Sequence, residues 1–127
     1  LAETCHNEDI GLLSFSPLAA GLLTGKYQNG ALPEGSRMAI NGDLGGRKTD
    51  RVFDATAAYL DIAQKHGLDP THMALAWARQ RPFMTSIIFG ATSMDQLEVA
   101  LGAIDLELND EVMADIATAH KAHPMPY

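Results

Sequence analysis

The stretch Ile10-Gly-Leu-Leu-Ser-Phe15, followed without a break by Ser16-Pro-Leu-Ala-Ala-Gly-Leu-Leu-Thr-Gly-Lys-Tyr27, decides the fold. Its first part is a short continuous apolar run, the pattern of a strand buried on both faces, as parallel strands are. Its second part is a loop of small residues. Gly21 and Gly25 lack a β-carbon and Ala19 and Ala20 have almost no side chain, so backbone can approach a ligand closely. Lys26 adds a cation at the end of this loop.

Upstream, Leu1 to Asn7 reads as the tail of a helix with no start signal before it, which suggests a truncated element. Downstream, residues 21–50 are rich in Gly, Asn and Asp and show no periodicity, so they are expected to form a long functional or mobile loop. Phe53, Ala57, Leu60 and Ala63 then recur at helical spacing between Arg51 and His66, with Gly67 as the stop. Asp69-Pro70 supplies an N-cap and a proline at the first helical position, opening a second helix that should end near Arg81, before Pro82. Met73, Ala76, Trp77 and Gln80 share a face of it, with Met73 and Trp77 expected in the core.

Thr85-Ser-Ile-Ile-Phe89 is a β-branched apolar strand closed by Gly90. Ser93-Met-Asp-Gln96 has the form of a capping box, followed by the stripe Leu97, Ala100, Leu101 and Ile104. A last helix opens at Asn109, where Leu108 can staple against Met113, and it ends near His120 and Lys121. Strand, loop, two helices, strand, helix, helix is the order of a parallel α/β architecture. Two parallel strands alone leave both edges and an apolar face open, so the isolated chain is expected to aggregate or stay molten. A complete (β/α)8 barrel takes about 250 residues. Residues 1–127 are therefore expected to be one part of a single barrel domain.

With 46% hydrophobic and 20% charged residues, disorder is not expected to dominate. The formal charge of -7 and the scatter of nine basic residues argue against a nucleic-acid partner and leave a small molecule as the expected one. No run approaches a membrane span and the N-terminal residues lack a signal-like pattern, so a cytoplasmic setting is expected. The lone Cys5 excludes an internal disulfide. No G-x-G-x-x-G fingerprint is present.

Function in such barrels collects at the C-terminal ends of strands. Two loops qualify: Ser16 to Tyr27, and Gly90-Ala-Thr-Ser93, where free N–H groups at a helix N-terminus can receive phosphate. Phe15 fits a core position as well as a ligand-facing one, and Gln96 is explained by helix capping as well as by binding. His120 and His123 are three apart but lack a third ligand, so a metal site is not expected. His6, His66 and His72 read as surface residues near helix ends, and Asp105, Glu107, Asp110, Glu111 and Asp115 as a solvated acidic face.

Across nearly its whole length the sequence resembles the aldo-keto reductases. The resemblance rests on Gly11 through Ala19, Leu23-Thr-Gly-Lys-Tyr27, Gly35-Ser-Arg37, Leu75-Ala-Trp77, Gly90-Ala-Thr92, Gln96-Leu97 and Gly102-Ala-Ile104. Thr24-Gly-Lys-Tyr27 and the Gly-Ser-Arg element point to the branch with potassium-channel β-subunits and related bacterial reductases. The resemblance implies that residues 1–127 are the C-terminal portion of one (β/α)8 barrel domain, its last two strand-helix units with extra helices, and that the activity is carbonyl reduction or alcohol oxidation by hydride transfer with NADP(H). It implies that Phe15 packs on the nicotinamide and that Ser16, Pro17, Leu18, Ala19 and Ala20 line the pyrophosphate path. Lys26, Ser36 and Arg37 would grip phosphate groups, and Gly90, Thr92 and Gln96 would close over the adenosine half. Where that branch commonly has a Glu-Asn pair facing the adenine, this sequence has Val99-Ala100. The family's catalytic tyrosine, lysine, aspartate and histidine come from earlier strands, and Tyr27, Tyr59 and Tyr127 match none of them. The segment alone is thus expected to be inactive without the N-terminal part of the barrel. The other class of function left open is a non-catalytic nucleotide-binding or regulatory module.

Overall fold

The computed structural model describes all residues, 1–127. Helix α1 (Ala2–Asn7) leads into strand β1 (Leu12–Phe15), and after a long excursion come α2 (Arg37–Asn41), α3 (Asp50–Lys65), α4 (Pro70–Arg79), β2 (Met84–Ile88), α5 (Met94–Leu101) and α6 (Asp110–Ala122). The strands pair in parallel, with Leu13 opposite Ser86, Ser14 opposite Ile87 and Phe15 opposite Ile88. Each strand is a residue or two from its expected span, because β1 starts only where Leu12 N–H reaches the Phe83 carbonyl at 2.9 Å.

The start signals read from the sequence operate as hydrogen bonds. Asp69 accepts from the N–H groups of Thr71 and His72, Ser93 from that of Gln96, and Asn109 from that of Val112. Thr49 caps α3 by accepting from Val52 N–H, a signal the sequence reading passed over. Helix α4 stops at Arg79, short of the expected Arg81. Its end is latched to the segment before α6: the Gln80 amide both donates to the Leu108 carbonyl (3.2 Å) and accepts from Leu108 N–H (3.0 Å). Arg79 Nη2 donates to the Leu106 carbonyl at 2.7 Å and to Glu107 Oε1 at 2.8 Å.

Three apolar clusters hold the elements. Ile62, Ala63, Met73, Ala76, Leu108, Val112, Ile116 and Ala119 join α3, α4 and α6, and Met113 packs against this same cluster, which includes Leu108. Leu22, Tyr27, Met38 and Leu44, from the excursion between β1 and α3, form a second cluster with Val52 in the first turn of α3. Leu75, Ala100 and Ala103 form a third, against which Leu18, Ile87 and Phe89 pack.

Several expectations are corrected. Residues 21–50 are not a shapeless loop: they begin within a 3-10 turn at Ala19–Thr24 and contain another at Gln28–Gly30 and the helix α2, organised around the buried Tyr27, whose hydroxyl accepts from Met38 N–H. No periodicity marks them because they pack inward around one aromatic ring instead of presenting a stripe to a sheet. Trp77 is 39% exposed and is not core; the Arg81 guanidinium lies over its ring at 4.6 Å. On α3 the buried positions are Val52, Ala55, Thr56, Ile62 and Ala63, whereas Ala57 is exposed. On α5 only Ala100 is buried, with Leu97 half-buried and Leu101 exposed, and Ile104 lies beyond the end of the helix and is exposed. His66 and His72 are partly buried, not free surface groups.

An ion network ties α3 to α6. Lys65 Nζ lies 2.7 Å from Asp115 Oδ2 and 3.5 Å from Glu111 Oε1, and His66 Nε2 lies 2.7 Å from the same Asp115 oxygen. The hydrogen bond to Asp115 holds the Lys65 ammonium above its ordinary pKa, and those from Lys65 and then His66 hold the Asp115 carboxyl below its own.

Candidate functional site

Parallel pairing of Phe15 with Ile88 brings the two loops at the strand ends side by side. Leu18 joins them physically: it leaves the first loop and packs with Phe89, after β2, on the cluster formed by Leu75, Ala100 and Ala103. The sequence named both loops; their adjacency comes from register.

The first loop is held in an unusual backbone. Ser16, Ala19 and Ala20 have φ of 58°, 48° and 59°, and Gly21 has φ of 94°. Left-handed backbone costs a residue with a β-carbon about 1 kcal/mol or more, so three such residues in a row of six need strong support from their surroundings. Part of that support is visible. Thr24 Oγ1 donates to the Gly21 carbonyl at 2.8 Å and accepts from Lys26 N–H at 3.4 Å, while Ala19 and Ala20 rest on the Tyr27 cluster. Gly21 is favoured by its φ, and a β-carbon there would also stand 2.9 Å from Lys26 Cε and 3.1 Å from its Nζ, so the flexible lysine side chain would have to move aside. The lysine side chain thus folds back over Gly21, with its ammonium 5.2 Å from the centre of the Tyr27 ring. Ser36 is buried as the N-cap of α2 and accepts from Ala39 N–H at 3.3 Å, while Arg37 is exposed.

In the second loop Gly90 is exposed with open space where a β-carbon would be. Gln96 departs from a plain capping box. Its Oε1 accepts from Thr92 N–H at 3.0 Å and from Thr92 Oγ1 at 3.2 Å, one residue earlier than the N-cap, and so fixes the Thr92 loop. The N–H groups of Met94 and Asp95, in the first turn of α5, have no intrahelical acceptor and suit an anion. Asp95 itself puts a negative charge in that same turn.

Phe15 is 74% exposed, and Leu13 (59%) and Ile88 (54%) share its face of the sheet. On the helical side lies an open apolar groove of about 360 Å³, bordered by Phe15, Tyr59, Met73, Trp77, His120 and Tyr127. This groove was not legible in the sequence, because three helices (α3, α4 and α6), a strand end and Tyr127 contribute to it. Burial raises the pKa of the Tyr59 phenol. Tyr27 is 1% exposed with its hydroxyl engaged by Met38 N–H, so it is not available to donate a proton to a ligand.

The aldo/keto reductase family model matches residues 1–121. The chain belongs to the aldo/keto reductase family. It is 44% identical to the Protein tas of Escherichia coli over 126 residues, 99% of this chain and 36% of that protein. It is 38% identical over 103 residues to a probable voltage-gated potassium channel subunit beta of Arabidopsis thaliana, covering 79% of this chain and 31% of that one. It is 37% identical over 122 residues to an Escherichia coli L-glyceraldehyde 3-phosphate reductase, covering 91% and 35%. The family member therefore spans about a third of the length of these relatives. A glycerol dehydrogenase of the family from Gluconobacter oxydans superposes with a TM-score of 0.73 at 17% identity, with all of this chain on 38% of that one. The architecture is accordingly part of a (β/α)8 barrel, its C-terminal strand-helix units.

Proposed function

We propose that residues 1–127 form the cofactor-holding part of a single-domain NADP(H)-dependent aldo-keto reductase, which interconverts a small carbonyl compound and its alcohol. The observation that carries this reading is the pairing of Phe15 with Ile88, which sets a strained small-residue loop beside a helix N-terminus at one end of a parallel sheet. A bound nicotinamide supplies a hydride to the carbonyl carbon or takes one from the alcohol. Phe15, exposed at the strand end, offers the ring a flat apolar surface. Ser16, Pro17, Leu18, Ala19 and Ala20 carry the backbone along the pyrophosphate. Lys26, Ser36 and Arg37 hold phosphate, with the Arg37 fork suited to the 2'-phosphate that separates NADP from NAD. Gly90, Thr92 and Gln96 close over the adenosine, where Val99-Ala100 offers no side-chain hydrogen bond to the base. The proton donor is proposed to come from the rest of the barrel, and this segment alone to be inactive. A cytoplasmic setting fits this soluble chemistry; no helix is long and apolar enough to cross a membrane.

The relatives named as channel β-subunits favour keeping a second reading, nucleotide binding without turnover as a regulatory module. Titration with NADPH and NADH, followed by nicotinamide fluorescence, tests what both readings share. Saturable NADPH binding that loses its preference over NADH in Arg37→Met is the expected result. Absence of binding at 1 mM nucleotide, or an unchanged preference in that variant, refutes the site. Turnover of simple aldehydes by the protein with its full barrel then separates the enzyme from the module.

A further inference from the structure

The ion network between α3 and α6 holds more donors than its one cation satisfies. His66 is the C-cap of α3, and Glu111 and Asp115 are four apart on α6, so both carboxylates project from one face of that helix. One donor atom from each of the three residues lies within 4.8 Å of the others. Lys65 sits between the two carboxylates at unequal distances, 2.7 Å from Asp115 and 3.5 Å from Glu111. One ammonium faces two carboxylates, which leaves a charge of -1 when the imidazole is neutral. The His66 side chain is only 11% exposed and already points its Nε2 at Asp115.

We propose that His66, Glu111 and Asp115 bind a divalent transition-metal ion that clamps α3 to α6, with the Lys65 ammonium occupying the cation position in the metal-free protein. Zinc bonds of about 2.0 to 2.2 Å place the donors of a four-coordinate site roughly 3.3 Å apart, which small rotations of these side chains achieve. The Lys65 side chain is 54% exposed and can leave without burying its charge. His66 then carries its ring proton on Nδ1 and ligates through Nε2, and water completes the shell. One nitrogen and two oxygens suit zinc, nickel or copper in preference to magnesium or calcium. None of these residues is among those proposed to hold the nucleotide, so the ion would act on the helix pair and not on hydride transfer.

The test is calorimetric titration of zinc into chelator-stripped protein in a non-coordinating buffer. Wild type, His66→Ala, Glu111→Gln, Lys65→Met and His123→Ala are compared, each checked for fold by circular dichroism. One saturable site is expected, weakened about tenfold or more in His66→Ala and in Glu111→Gln. Binding should be unchanged in His123→Ala, which excludes the tail pair His120 and His123. The decisive variant is Lys65→Met. Removing a competing cation tightens zinc binding by about tenfold, whereas a lysine that merely completes an ion pair predicts no gain. Wild type that shows no saturable zinc binding below 1 mM, or zinc bound equally well by His66→Ala, overturns the site. If Lys65→Met does not fold, the comparison of wild type with His66→Ala and Glu111→Gln decides alone.

Discussion

Gly21→Ala separates what the strained loop does for stability from what it does for Lys26. Gly21 has φ of 94° and Gly30 has φ of 74°, but a β-carbon at Gly30 meets nothing within 4 Å whereas one at Gly21 stands 2.9 Å from Lys26 Cε. Both alanine variants carry a left-handed penalty of about 1 to 2 kcal/mol, offset by about 0.5 kcal/mol from a less flexible unfolded chain. Gly21→Ala must also push the lysine aside. An exposed flexible side chain moves cheaply, so the two variants should lose nearly the same stability, about 1 kcal/mol each, in urea unfolding. Their effect on nucleotide should differ. With Lys26 displaced from the loop, Gly21→Ala weakens NADPH by about fivefold to tenfold, on the order of one charge-assisted hydrogen bond, and Gly30→Ala leaves it unchanged. Because both changes act on one ammonium, Lys26→Met in the Gly21→Ala background should cost little more. Additive losses in that double mutant, or equal nucleotide affinities in Gly21→Ala and Gly30→Ala, refute the assignment of Lys26 to the loop's function.

Asp95→Asn removes the negative charge from the first turn of α5; NADPH should bind about twofold to fivefold tighter by titration, although the helix itself loses a favourable dipole contact. Thr49 both caps α3 and donates to the Pro126 carbonyl at 2.7 Å, so Thr49→Val should cost about 1 to 2 kcal/mol in urea unfolding and release the tail to proteolysis after Lys121. The Lys65 and Asp115 pair gives stability a bounded pH window. The depressed Asp115 pKa contributes above the unfolded carboxyl value of about 3.9 and is lost as pH falls through the folded value. The raised Lys65 pKa contributes below about 10.4 and is lost as pH rises through the folded value. Thermal midpoints of wild type minus those of Asp115→Asn should therefore be largest between those limits and shrink on both sides; a flat difference contradicts the pairing.

What the sequence made legible was local chemistry. Asp69, Ser93 and Asn109 announced their helices because a cap is a contact between a side chain and N–H groups two or three residues away. The first strand was legible as a short continuous apolar run and the second as a β-branched apolar one, and the two loops as glycine-bearing strand ends. Packing at long range was not. Trp77 shares a helical stripe with Met73, yet only Met73 meets α3 and α6, and nothing in the period separates the two. The compact excursion around Tyr27 was read as loop because its order comes from one buried ring and a hydrogen bond to Met38 eleven residues on. The family was legible because its motifs are themselves local runs; the join of the two candidate loops through Leu18 required the register.

The sheet explains why the candidate site is open. Leu13, Phe15 and Ile88 leave more than half their surface in water on the face that a closed barrel turns inward. Burying side chains of this size is worth about 1.5 to 3 kcal/mol each, so covering the three fully would add several kcal/mol, comparable with the whole stability of a small domain. Phe15 belongs both to that bare face and to the candidate nicotinamide surface. Whatever completes the sheet therefore also shapes the wall against which the ring would lie, and the two should be thermodynamically linked. Phe15→Ala tests the link: in the protein with its covering strands it should lower both stability and NADPH affinity, whereas in residues 1–127 alone, where the ring is already in water, it should barely move the unfolding midpoint. A large loss of stability in the shorter chain would mean that Phe15 is buried there by self-association, and size-exclusion chromatography of the two chains would show it.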